Sequence, residues 1–133
     1  MKWSEQVALH EALVAEEARI LDQKGREYAS ENDALGNFKK RAVDNGIDPK
    51  QILWIFLSKH LDGIKSYIKI GHEISEEPIK GRINDARNYL FLLHCLVEEE
   101  KVEKQKTLDE LNKADQKRVN EAQRESLDLR EFA

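Results

Sequence analysis

Ionisable side chains recur where helical periodicity predicts a buried face. At about 100° per residue, the stretch from Glu77 to Leu96 places Arg82 and Asp85 on the same side as its aliphatic residues. A buried charge costs several kcal/mol unless it is paired or hydrated. We therefore expect the first two turns of this helix to form the floor of a polar pocket and the last three turns to belong to the hydrophobic core.

Two earlier helices show the same feature. The N-terminal helix carries Glu17 and Lys24 on its apolar stripe, with Tyr28 one turn later. A later helix places His60 near the centre of a broad apolar face and Lys59 at its edge. Lysine, arginine and histidine at one site suit a phosphate. If the helices pack as an antiparallel bundle, these groups converge on one cavity.

Aromatic and amide side chains near these charges suit the rest of a nucleotide. A ring of Tyr28, Tyr89 or Phe38 would stack on a base. The amides of Asn37 and Asn88 would hydrogen-bond to its edge. The full set of predicted ligand-binding residues is Glu17, Lys24, Tyr28, Asn37, Phe38, Lys59, His60, Arg82, Asp85, Asn88 and Tyr89.

The same charges also have a purely structural interpretation. Arg82 and Asp85 are three residues apart on one helical face, where they can pair locally. Glu17 can pair with Lys24, and a single buried histidine such as His60 is more often a satisfied core residue than a ligand. Several unpaired buried charges are costly, however, and this favours a ligand pocket for the set as a whole.

Composition narrows the class of protein. The chain has 133 residues, of which 40% are hydrophobic and 36% charged, with two Pro and six Gly. These proportions predict a mostly helical protein. A net charge of −4 gives no basic surplus for nucleic-acid binding. The single Cys95 fits a reducing cytoplasm, and no apolar run predicts a signal peptide or a membrane partner.

Local signals mark the ends of the predicted helices. Ser4 is a candidate N-cap for a first helix that runs to about residue 29, and a short helix is expected over about residues 34–44. Asp48 and Pro49 predict the N-cap and first position of a third helix, which Gly71 ends. Trp54 and Phe56 are expected to be core residues of that helix.

The chain becomes strongly charged beyond Val97. Thr107 begins a Thr-Leu-Asp-Glu capping-box pattern, which predicts that a separate helix starts there. The predicted fold is all-α: a bundle of about four helices over residues 1–100 and a long C-terminal helical extension over residues 101–133. The thin apolar stripe of the extension and the broad face of the third helix both predict a homo-oligomer.

Four short pieces of the chain, in this order, resemble the nucleotide modification associated domain, type 1. They are Lys24-Gly-Arg-Glu-Tyr-Ala29, Ala34-Leu-Gly-Asn-Phe38, Lys59-His-Leu-Asp62 and Gly81-Arg-Ile-Asn-Asp-Ala-Arg-Asn-Tyr-Leu90. This small helical family is found largely in bacteriophage genomes, and the resemblance covers about residues 13–98. It implies a phage-type protein, in the host cytoplasm, that binds or acts on a nucleotide or its derivative.

The chain is also distantly similar to the all-α NTP pyrophosphatases, of the MazG-like and dimeric dUTPase-like kinds. Those enzymes hold Mg²⁺ with Glu-x-x-Glu on one helix and Glu-x-x-Asp on another. Here Arg82-x-x-Asp85 stands at the second position, and apolar residues lie one turn on either side of Glu17. A cation in place of a ligand carboxylate disfavours hydrolysis and favours binding.

The leading prediction is therefore a nucleotide-binding protein with a cationic pocket between helices, and sequestration of a nucleotide signal used in host defence is one form this takes. Phosphates would contact Lys24, Lys59, His60 and Arg82. Asp85 would orient Arg82 or accept a hydrogen bond from a sugar hydroxyl. No catalytic residue, metal ligand or cofactor is assigned. The alternatives are a Mg²⁺-dependent nucleotide pyrophosphohydrolase, with Glu17 and Asp85 as ligands, and a helical interaction module that binds its partner through residues 107–133.

Overall fold

All regular structure in the described part of the chain is helical. The computed structural model describes residues 1–28, 33–73 and 75–132, and the Tyr28 side chain lies outside that description. The helices are α1 (Trp3–Tyr28), α2 (Gly36–Asn45), α3 (Pro49–Ile70) and α4 (Ile79–Glu131). The all-α prediction, with about four helices and a long C-terminal helical extension, is confirmed.

The predicted ends of α3 are confirmed, and their chemistry is local. The Asp48 carboxylate accepts a hydrogen bond from the Lys50 backbone N–H at 2.7 Å. The Gln51 side chain accepts one from the Asp48 backbone N–H at 3.2 Å, which completes a capping box. At the other end Gly71 adopts φ 85°, a left-handed conformation that glycine reaches without a steric cost.

The predicted start of a separate helix at Thr107 is wrong, because α4 continues through it. The Thr107 hydroxyl donates to the Glu103 carbonyl one turn earlier, at 3.1 Å, as threonine does inside a helix. No Gly or Pro follows Gly81, so nothing in the sequence interrupts propagation. Ion pairs one turn apart, such as Lys104 with Glu100 at 3.2 Å, add support.

The chain divides into two compact units, Met1–Leu96 and Val97–Ala133. The first unit contains the described hydrophobic core, in which Leu53 is fully buried. The buried centre of that core consists of Leu35, Leu53 and Leu96, with Phe38, Tyr89, Leu92, Leu93 and Cys95 packed against it. In the second unit, every side chain from residue 101 to residue 132 is exposed.

The buried face of α3 is narrower than its composition predicts. Leu53 and Leu57 are buried, but the side chain of Trp54 is 57% exposed. Trp54 follows Leu53 by one residue and is therefore turned about 100° away from the buried line. The prediction that Trp54 belongs to the core is wrong, whereas Phe56 is half-buried.

Candidate functional site

Asp85, in the second turn of α4, lies between charged groups of α1 and α3. Its Oδ1 is 3.8 Å from the Lys24 Nζ on α1. Its Oδ2 is 3.8 Å from the His60 Nδ1 on α3. Ala86, the next residue, is buried, and this places Asp85 at the edge of the packed face of α4. The structure thus brings together three of the predicted site residues, one from each of three helices.

Glu77 completes this group, and the sequence analysis missed it. Its Oε1 lies 4.0 Å from the His60 Nδ1, and its Oε2 lies 3.4 Å from the Arg82 guanidinium. Glu77 precedes α4 in a loop, where helical periodicity gives no information about direction. The one available signal was its position, an acidic residue directly before Pro78 and the N-terminus of a helix. An acidic residue there also has a purely structural explanation, because it stabilises the helix dipole.

Arg82 is held in place by contacts on two sides. Its guanidinium donates a hydrogen bond to the Ser75 Oγ at 3.1 Å and pairs with Glu77. It crosses α3 at Gly63, where a Cβ would lie 2.6 Å from the Arg82 Cζ. Arg82 and Asp85 therefore pair with different partners in the described part of the chain, rather than with each other.

Two cavities of different size flank this polar group. A cleft of about 300 Å³ is lined by Arg82, Glu77, Ser75 and Tyr67 among others. This volume is at the lower end of the range for small-molecule sites. The second cavity, of about 30 Å³, lies between α1 and α4 and has room for water only. Its lining includes Glu17, Lys24, Asp85 and Asn88. In the described part of the chain, the ligand-sized space adjoining this group is therefore on the Arg82 side.

Two predicted stacking residues belong to a packed aromatic column. The Tyr89 ring lies 5.5 Å from the His60 ring and 6.1 Å from the Phe56 ring, between centroids. Phe38 meets Phe56 edge-on at 6.5 Å. Burial raises the pKa of the Tyr89 hydroxyl, and the neighbouring Asp85 carboxylate raises it further. Tyr89 and Phe38 thus support His60 and the core, and neither lines the cleft.

The remaining predicted residues lie outside this group. Glu17 pairs with Arg87 on α4, rather than with Lys24 as one interpretation proposed. Lys59 and Asn37 are exposed. Lys59 precedes His60 by one residue, so the helical twist turns it out of the packed face. The prediction for Tyr28 concerns a side chain outside the described part of the chain.

The electrostatics of the site are more balanced than the sequence predicted. Lys24 and Arg82 face the carboxylates of Asp85 and Glu77. The cleft is also lined by a second acidic residue, Glu73. Among its described lining residues, Arg82 is the one lysine or arginine. An anionic ligand would therefore contact a single preorganised arginine rather than a cluster of cations.

Among the described residues, no helix combines the length and the apolar character needed to cross a membrane. Comparison with known protein families, curated proteins and solved structures finds no match to this chain. The resemblance to the nucleotide modification associated domain, type 1, therefore stays a prediction from the sequence.

Proposed function

We propose that this protein binds a nucleotide or a nucleotide-derived small molecule in the cleft beside Arg82. The observation that carries the proposal is the arginine itself, which lines a cleft of about 300 Å³ and is held there by Ser75 and Glu77. A guanidinium fixed by its neighbours loses little entropy when it binds phosphate with two parallel hydrogen bonds.

The other walls of the cleft suit the uncharged parts of such a ligand. Tyr67 is half-buried on α3 and offers a ring on which a base stacks. The hydroxyls of Ser66 and Ser75 can donate to and accept from ribose or base atoms. A phosphate at Arg82 would replace Glu77 as its anionic partner, so binding should be coupled to a movement of the loop before α4.

Within this proposal, sequestration of a nucleotide signal used in host defence is the biological form that the phage-type resemblance favours. It requires tight binding without chemical change of the ligand. The site would then act in the cytoplasm of the infected cell. If Mg²⁺ instead caused consumption of the ligand, the pyrophosphohydrolase alternative would replace it.

A nucleotide-library thermal-shift screen, with and without Mg²⁺, tests the proposal. The library should include cyclic and ADP-ribose-type compounds. A ligand at 100 times its dissociation constant adds about 2.7 kcal/mol to the free energy of unfolding. We expect at least one compound to raise the melting temperature without Mg²⁺ and to be recovered intact.

The matched variants are Arg82→Ala and Arg26→Ala. Arg26 pairs with Asp22 on the exposed surface of α1, so its removal controls for the loss of an arginine. The proposal predicts that Arg82→Ala abolishes the shift and that Arg26→Ala retains it. Unchanged ligand affinity in Arg82→Ala, or no shift with any compound, would contradict the proposal.

A second candidate function is self-association, and a row of exposed apolar side chains on α3 favours it. Trp54, Leu61 and Ile68 recur every seven residues and are 57%, 38% and 75% exposed. This is the spacing by which one helix packs along another. We propose a homo-oligomer that covers this row, with a second copy as the occupant.

Light scattering after size-exclusion chromatography tests self-association. Ile68→Glu should yield monomers, because it places a charge at the most exposed position of the row. Ile55→Glu is the control, since Ile55 is 59% exposed on the same helix but outside the row. A wild-type chain that is monomeric at high concentration would rule this candidate out.

A further inference from the structure

His60 presents a buried nitrogen that no described group satisfies. The residue is 9% exposed, and its Nδ1 atom has no hydrogen-bond partner among the described residues. The nearest carboxylate oxygens, of Asp85 and Glu77, are 3.8 Å and 4.0 Å away. These separations are too long for hydrogen bonds. An unsatisfied buried nitrogen is costly, so it points to a binding partner between these three side chains.

The three side chains are spaced as the ligands of one metal ion. The His60 Nδ1, one Glu77 oxygen and one Asp85 oxygen all lie within 4.8 Å of one another. A Zn²⁺ ion binds such atoms at about 2.0–2.2 Å, which puts tetrahedral donors roughly 3.4 Å apart. To reach that separation, side-chain rotation must shorten the two His60 contacts, now 3.8 Å and 4.0 Å, by about half an ångström, and bring the two carboxylates, now within 4.8 Å of each other, closer by up to about 1.4 Å.

The surrounding cations orient both carboxylates towards His60. The Lys24 ammonium lies by Oδ1 of Asp85, and the Arg82 guanidinium lies by Oε2 of Glu77. In each carboxylate the other oxygen, Oδ2 or Oε1, faces the His60 Nδ1. Partners of this kind fix metal ligands in their binding orientation. Stacking against Tyr89 restrains the imidazole plane in the same way.

The donor set selects the kind of ion. One imidazole nitrogen and two carboxylate oxygens suit divalent transition metals, whereas Mg²⁺ and Ca²⁺ prefer oxygen ligands throughout. We propose that His60, Glu77 and Asp85 form a binding site for one divalent transition-metal ion, of which Zn²⁺ is the test case. Three protein ligands leave a coordination position open to water or to a ligand anion. The site shares Asp85, but neither other ligand, with the Mg²⁺ site of the pyrophosphohydrolase alternative.

Calorimetric titration of the EDTA-treated full chain with ZnCl₂ tests this site. We expect one ion per chain, and loss of at least about tenfold in affinity in His60→Gln and Asp85→Asn, since even the outer partners of metal ligands contribute about that much. Glu77→Gln is the variant that we expect to disturb folding least, because Glu77 lies outside the helices. Substitution of Co²⁺ should give a visible spectrum that the same variants change.

His94→Gln is the matched control. His94 is exposed on α4 and lies outside the three-residue group, so this variant should bind Zn²⁺ as the wild type does. The proposal is overturned if the wild type binds Zn²⁺ only at millimolar concentration, if Glu77→Gln binds as tightly as the wild type, or if His94→Gln weakens binding equally. The metal site does not rest on nucleotide binding, and the zinc titration contains no nucleotide, so either proposal can fail without the other.

Discussion

The helical segments of residues 1–96 and the α4 segment of residues 97–131 are stabilised by different interactions. In the first unit, buried side chains such as Leu53 and Leu57 lie between helices. In the second, Leu111 and Val119 remain about half exposed, at 55% and 49%. Ion pairs one turn apart, such as Arg118 with Asp115, run along the second unit instead. Similar helical periodicity thus produces a core only where enough apolar side chains meet.

The polar groups of the two units also differ in what they contact. In the first unit, charges lie on partly buried faces and contact groups from other helices, as Asp85 does with Lys24 and His60. In the second unit, charged side chains pair with neighbours on their own helix and stay exposed. Only charges of the first kind provide converging groups from which a binding site can be built.

Truncation of a leucine should have the largest effect, and only in the first unit. Leu53→Ala should lower the free energy of unfolding by about 2–5 kcal/mol, because it removes buried methyl groups and leaves a cavity. Leu111→Ala should change it by less than about 0.5 kcal/mol, since the side chain is already exposed. Urea denaturation measures both, and equal losses would remove the distinction between the units.

Gly63→Ala should impair the binding site while sparing the fold. The added Cβ meets the guanidinium of Arg82, a flexible side chain that can move away from Ser75 and Glu77. We expect about a tenfold weaker nucleotide affinity, equivalent to about 1.4 kcal/mol. Gly81→Ala is the control, because a Cβ there meets nothing within 4 Å. Equal affinities in calorimetry would show that the position of Arg82 does not matter.

An authentic helix cap and a false one give a smaller contrast. Asp48→Ala should cost about 1 kcal/mol because the Lys50 backbone N–H loses its acceptor. Thr107→Ala should be neutral or slightly stabilising, since Thr107 lies inside α4 and alanine is the better helix former. Thermal unfolding measures the stability of both variants. A loss of stability in Thr107→Ala comparable to that in Asp48→Ala would mean that a helix does begin at Thr107.

The Asp48 cap should also depend on pH. The Lys50 backbone N–H, and then the Lys50 ammonium, lower the pKa of Asp48 below its usual value. The folded state therefore holds the Asp48 proton more weakly than the unfolded state does. Its contribution is present above about pH 3.9, the unfolded pKa, and is lost as pH falls through the lower folded pKa. The stability difference between wild type and Asp48→Ala should shrink in acid, and a constant difference would contradict this cause.

The smallest predicted effect concerns the surface pairs of the second unit. Arg118→Ala should destabilise the helix there by less than about 0.5 kcal/mol, because alanine's helix propensity offsets part of the lost ion pair, and high salt should mask the loss. Amide hydrogen exchange along α4 would measure it as faster exchange near residue 118. A loss as large as that from Leu53→Ala would mean that this segment is packed rather than exposed.

Sequence alone identified the ends of α3, which depend on neighbouring residues, but not the start of α1: Ser4, predicted as its N-cap, lies inside the helix, which begins at Trp3. Asp48 with Pro49 and the glycine at 71 define the ends of α3 through local hydrogen bonds and backbone conformation, and all were predicted. Thr107 was misread because a capping-box pattern has meaning only where a helix is already interrupted. Trp54 was misread because periodicity gives the width of an apolar face but not what covers it.

The site was predictable to the extent that its residues lie on helices. Lys24, His60 and Asp85 stand on apolar stripes, so their convergence follows from packing those stripes together. Lys59 was assigned to the edge of the apolar face of its helix, and in the structure it is exposed. Glu77 was missed because a loop residue has no periodic face, although it contacts both Arg82 and His60.

The most direct test is calorimetric titration of the wild type, Arg82→Ala and Arg26→Ala with a compound from the nucleotide screen. The proposed function predicts that wild type and Arg26→Ala bind one ligand per site with equal affinity, and that Arg82→Ala shows no measurable heat of binding while its circular dichroism stays helical. Equal affinity in all three proteins would contradict binding of the ligand beside Arg82.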